Sequence, residues 1–170
     1  MEERYLRRAR FWLILFIIGL VVSGVTAFPL RWEVGILYDL TQRVPWLPSG
    51  TVAWIARVHE GLNVTYARYP FIAYGTDWLA FAHLVIAVAF LGPLRDPVRN
   101  VWVVQFGMIA CAGVLPLALI AGPLRGIPFG WQLIDCAFGV VGVVPLWLAY
   151  REIRIMEQRP NRPDTPHVTA

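Results

Sequence analysis

A chain of 170 residues that is 58% hydrophobic and 15% charged, with a mean hydropathy of +0.57, has the composition of a membrane protein. Soluble domains carry about 25% charged residues. The formal charge of +4 comes with 15 basic residues, all arginine; they are scattered rather than clustered, which argues against nucleic acid as a partner.

The length is that of one domain, and four stretches are apolar over the roughly 30 Å that a bilayer's hydrocarbon demands. The first runs from Phe11 to about Pro29. Four arginines precede it, and the small residues of "GVTA" (Gly24 to Ala27) resemble a signal-peptidase site. The length of the apolar run favours a retained helix.

A long segment follows, from about Leu30 to Thr76. Ile36, Leu37 and Leu40 fit a short helix. "PWLPSG" is a turn, after which Ser49 is placed to cap a helix. Trp54, Ile55, Val58 and Leu62 then fall on one helical face, and residues 51–67 read as an amphipathic helix lying in the outer interface. The "NVT" at Asn63 matches a glycosylation acceptor, a weak and accidental-looking match.

The remaining spans are read at about 77–91, 101–121 and 133–150. Gly19 with Ser23, Gly107 with Cys111 and Gly113, and Gly139 with Gly142 are small residues at spacings that let helices approach closely. Pro116 and Pro145 lie within the last two spans. Cys111 and Cys136 sit in apolar runs with no metal-binding spacing and read as small hydrophobes. Residues 159–170, "RPNRPDTPHVTA", lack apolar periodicity and read as a disordered cytoplasmic tail behind a single membrane domain over 1–158.

Ten arginines fall on one side of this arrangement (Arg4, Arg7, Arg8, Arg10, Arg95, Arg99, Arg151, Arg154, Arg159 and Arg162) and five on the other. The positive-inside rule then puts both termini in the cytoplasm, and the expected home is a bacterial inner (plasma) membrane. Tryptophans gather near both boundaries as an aromatic belt.

The polar residues near the spans are the candidates for a site. Asp77 and Asp135 read as first-turn residues, where a carboxylate suits the helix dipole, with Thr76 capping its helix and Arg125 as counter-charge. His83 lies about 9 Å deeper than Asp77 at 1.5 Å per residue. Ionisable groups at such depth tend to face a bundle interior or a cavity. Asp77 and His83 are about 120° apart around the helix, so a carboxylate partner for His83 is expected from elsewhere, with Asp135 the candidate. His83, Asp77, Asp135 and Arg125 are expected to line an outward-facing polar pocket, joined by His59 if the interfacial helix folds over its mouth.

The fold expected is thus an all-α integral membrane protein, a four-transmembrane-helix bundle with an extracytoplasmic amphipathic helix. No nucleophile, base and oxyanion donor share a motif, and Ser23 and Ser49 are the only serines. Inverted repeats of the transporter kind are not evident. These absences favour a non-catalytic accessory subunit or small-ligand-binding protein, with lipid, other membrane subunits or further copies of itself as partners. The alternatives are an electron-transfer subunit holding a quinone or haem b, which would require a pair such as His59 and His83, and a small membrane enzyme using His83 with Asp77 or Asp135.

Overall fold

The computed structural model describes residues 2–158; the tail expected to be disordered lies outside them. The described residues form seven helices: α1 (Glu2–Ala27), α2 (Leu30–Arg43), α3 (Ser49–Arg68), α4 (Pro70–Ala89), the short α5 (Leu91–Arg95), α6 (Val101–Leu124) and α7 (Phe129–Glu157). Four stretches, α1, α4 with α5, α6 and α7, are long and apolar enough to cross a membrane.

Side-chain contacts fix how these helices run. Gly24 of α1 abuts Ala80 and Leu84 of α4, while Phe16 meets Phe90 with ring centroids 4.7 Å apart. Contacts that step back along α1, from Gly24 to Phe16, step forward from Ala80 to Phe90, so the two helices are antiparallel. Ala9 and Leu13 share a buried cluster with Leu146, Ala149, Ile153 and Met156, so α1 and α7 are antiparallel as well. Gly122 lies against Gln132, and Gly107 against Leu146, which sets α6 antiparallel to α7. The four helices stand in the order α4, α1, α7, α6, with α1 between α4 and α7. Both ends of the described chain lie at the same end of the molecule.

The core is concentrated at that end. Phe90, Leu13, Leu146, Ile153 and Val104 are fully buried there. Toward the opposite end, Phe71, Trp78, Leu79, Leu117, Ile120, Leu124 and Phe129 are exposed; there α2 and α3 pack on each other, α3 also packs on α4, and α2 touches α1.

The helix boundaries depart from the sequence reading in ways that matter for the site. α4 begins at Pro70, because proline lacks the N–H that a first helical residue leaves unpaired. Asp77 is therefore two turns into its helix, and Thr76 is interior rather than a cap. α7 begins at Phe129, so Asp135 is also nearly two turns in. Ser49 is the first residue of α3 after Pro48 and makes no capping hydrogen bond. α2 is one continuous helix around the three apolar residues that marked it. The helices run through Pro116 and Pro145.

Small residues set the α6–α7 seam. A Cβ on Gly139 would lie 2.5 Å from the Cys111 carbonyl oxygen, and one on Gly142 would lie 3.0 Å from the Cys111 sulfur. Gly107 holds the Phe90 ring edge. Gly19 and Gly113, by contrast, face open space; the close approach of α1 to α4 is made by Gly24 instead. Both cysteines are free thiols.

Two connections are tied by side chains. At the α5 end, Arg10 donates from Nε to the Leu94 carbonyl at 3.1 Å and from Nη2 to the Arg95 carbonyl at 3.2 Å. Asn100 donates to the Gly92 and Asp96 carbonyls. Between α6 and α7, Gly126 adopts a φ of 68°, a left-handed conformation natural to glycine. The Gly126 and Ile127 amides bond back to Pro123 and Gly122, the Schellman pattern that closes a helix. Gln132, buried, donates to the Ile127 carbonyl at 2.7 Å and locks the turn.

Candidate functional site

The five residues singled out from the sequence separate into four places. Arg125 is the exposed residue ending α6, where a cation suits the negative end of the helix dipole. Among the described residues no ion pair joins it to Asp135 or Asp77. Asp135 is half-buried on α7, and Asp77 and His83 are half-buried on α4. Because α1 stands between α4 and α7, the helices carrying His83 and Asp135 do not pack side by side. His83 Nδ1 donates to the Leu79 carbonyl at 2.8 Å, one turn back on its own helix. A carbonyl can only accept, so in the neutral ring Nε2 carries the lone pair.

His59 has the richer surroundings. It lies on α3, and its ring stacks on Tyr38 of α2 with centroids 4.6 Å apart and planes within 5°. The Asn63 amide nitrogen donates to His59 Nε2 at 2.9 Å. The Asn63 oxygen accepts from Arg31 Nε at 2.7 Å. This order assigns the roles: Arg31 donates, Asn63 accepts and relays, and His59 accepts. The Arg31 guanidinium also lies over the Tyr66 ring, 5.7 Å from its centroid, within reach of a cation–π attraction.

The local sequence explains why these groups meet. Arg31, Gly35 and Tyr38 recur at i, i+4 and i+7 on α2. His59, Asn63 and Tyr66 recur at the same spacing on α3. Each set forms one helical face, and the hairpin turn through Trp46 lays one face on the other. Gly35 matters here, since a Cβ at that position would lie 4.0 Å from His59 Nε2, and a bulkier side chain would separate the faces.

Next to this cluster is an open groove of about 340 Å³, lined by Phe28, Pro29, Arg31, Trp32, Asn63 and Tyr66. A second open groove, about 620 Å³, lies at the opposite end between α1 and α7. Neither is lined by His83, Asp77, Asp135 or Arg125. Among the described residues no group of three histidine, cysteine or acidic side chains is arranged to hold a metal ion.

Arg31, Tyr38 and Tyr66 carry no site signal in their own segments because their partners lie across a turn, and Asn63 stood out only as a glycosylation acceptor. The two matching i, i+4, i+7 faces are the signal that could have found them. Comparison with protein-family models, curated proteins and solved structures returns no match for this chain.

Proposed function

We propose that the four long helices span a bilayer with both ends of the described chain in the cytoplasm, and that the protein is a small, non-catalytic binding subunit whose ligand is held on the α2–α3 hairpin at the outer boundary. The arginine asymmetry supports the orientation. Large exposed apolar side chains along all four helices suit a hydrocarbon surround. On α3, Ile55 is buried while Arg57 and Glu60 are exposed, as an interfacial helix requires.

The observation that carries the binding reading is the fixed guanidinium of Arg31. Asn63 and Tyr66 hold it at the edge of a groove walled by Phe28 and Trp32. A positioned cation, an amide and aromatic faces are a set suited to recognising a small anion with an apolar portion. Native mass spectrometry of the protein extracted from its own membranes tests this. The wild type should carry a small additional mass that Arg31→Ala lacks. A bare 19.2 kDa chain for both, or an identical adduct on both, contradicts it. A second polypeptide on both would make the protein an accessory subunit without a ligand of its own.

A second reading rests on His83. Its Nδ1–H bond to Leu79 leaves Nε2 as a free lone pair, the state in which histidine ligates haem or accepts a hydrogen bond from a quinol. A visible absorption band in the purified protein that disappears in His83→Ala would favour this alternative.

A further inference from the structure

The groove between α1 and α7 has a composition that the hairpin site does not explain. Arg4, Arg7 and Arg8 line it, together with the apolar Phe11, Trp12 and Leu148 and the single carboxylate of Glu152. Arg4, Arg7, Arg8 and Phe11 stand at i, i+3, i+4 and i+7, so they form one stripe along α1. The stripe continues upward as Leu15, Ile18 and Val22, all exposed. Guanidinium groups thus give way, without interruption, to an exposed apolar track.

Glu152 answers only one of the three charges. Its Oε1 lies 3.8 Å from Arg8 Nη1. Its Oε2 is buried without a hydrogen-bond partner among the described residues. Arg4 and Arg7 are exposed, and no carboxylate among the described residues pairs with them.

We infer that this groove is a binding site for one anionic phospholipid, its phosphate held by Arg4 and Arg7 and an acyl chain lying along Phe11, Leu15, Ile18 and Val22. The inference rests on the spanning arrangement proposed above. The apolar track distinguishes a lipid from a free phosphate: an inorganic anion would use the guanidiniums and have no use for the stripe. Arginine suits the role because its planar fork gives two parallel donors to a phosphate.

The test uses the full chain reconstituted in bilayer discs of equal parts phosphatidylcholine and phosphatidylglycerol. Native mass spectrometry then reads which lipid stays on the protein. Retention of the wild type in vesicles through alkaline carbonate is checked first; its loss overturns the spanning arrangement and this site with it. For an inserted wild type, phosphatidylglycerol should be retained several-fold over its share of the bilayer. The double variant Arg4→Gln with Arg7→Gln should lower that preference by roughly an order of magnitude, given the strength of a basic residue at an anionic surface. Each single variant should lose part of it, which keeps the test open if the double variant does not insert. Arg95→Gln with Arg99→Gln removes two charges at the same end of the molecule but outside the groove, and should leave the preference intact. Equal retention of both lipids by the wild type, an equal loss in the control, or displacement of phosphatidylglycerol by excess inorganic phosphate would each overturn the lipid assignment.

Discussion

Replacing Gly139 by alanine tests the packing of α6 against α7 at its tightest point. The added methyl would sit 2.5 Å from the Cys111 carbonyl oxygen, with Leu115 and Val114 at 3.1 and 3.2 Å. Carbon–oxygen contacts settle near 3.3 Å, so the helices must separate by about 0.8 Å at this level. That oxygen belongs to the backbone and cannot swing aside as a side chain end would. Overpacking of this kind costs about 1–3 kcal/mol, partly offset by the roughly 0.5–1 kcal/mol by which alanine outranks glycine in a helix. The expected net loss is about 1–2 kcal/mol, because van der Waals contact is the main force joining helices in lipid. Gly113→Ala is the matched control on α6 away from the seam, since its methyl would enter open space; it should be neutral or slightly stabilising. Reversible unfolding by dodecyl sulfate titration in mixed micelles measures both. Equal stability of the Gly139 and Gly113 variants would refute the close seam.

Further outcomes follow from single contacts. Arg10→Ala removes two charge-assisted bonds to the α5 carbonyls and should cost about 2–3 kcal/mol in the same titration. Substituting Gly122 by alanine puts a methyl 2.7 Å from the Gln132 side chain, and Gln132→Ala removes the bond to Ile127. The two losses should be less than additive in a double-mutant cycle, since both act on one side chain; strict additivity would contradict that picture. His83→Ala breaks only a bond within its own helix and should leave stability within about 0.5 kcal/mol.

The four long helices were legible because uninterrupted apolar runs have few other fates. Their ends were not. At the start of α4, Tyr74, Thr76 and Asp77 dilute the hydropathy, so the apolar signal begins well after Pro70, where the helix does. α1 and α7 extend beyond their apolar runs into arginine-rich turns, yet Ala9, Ile153 and Met156 in those turns are buried in the core. Hydropathy reports the solvent around a helix, whereas burial there depends on which face meets a neighbour. The same distinction governs the site. His83 and the aspartates stood out because ionisable residues are conspicuous in apolar sequence. Of the Arg31–Asn63–His59–Tyr38 chain only His59 stood out as a site residue, because the chain is assembled across a hairpin and Arg31 and Tyr38 are unremarkable in their own segment. The small-residue spacings were informative at Gly107, Gly139 and Gly142 and misleading at Gly19, where spacing alone does not say whether a face is covered.

Site-directed labelling tests the central claim, four spanning helices with the hairpin outside, most directly. In a background with Cys111→Ala and Cys136→Ala, a single cysteine is placed at Trp46 in the hairpin turn or at Gln158 after α7. Intact bacterial cells producing each protein are treated with a membrane-impermeant maleimide. Trp46→Cys should label in intact cells, and Gln158→Cys only after permeabilisation. The reverse pattern would invert the orientation and move the Arg31 groove to the cytoplasm, and labelling of both positions in intact cells would contradict the spanning arrangement itself.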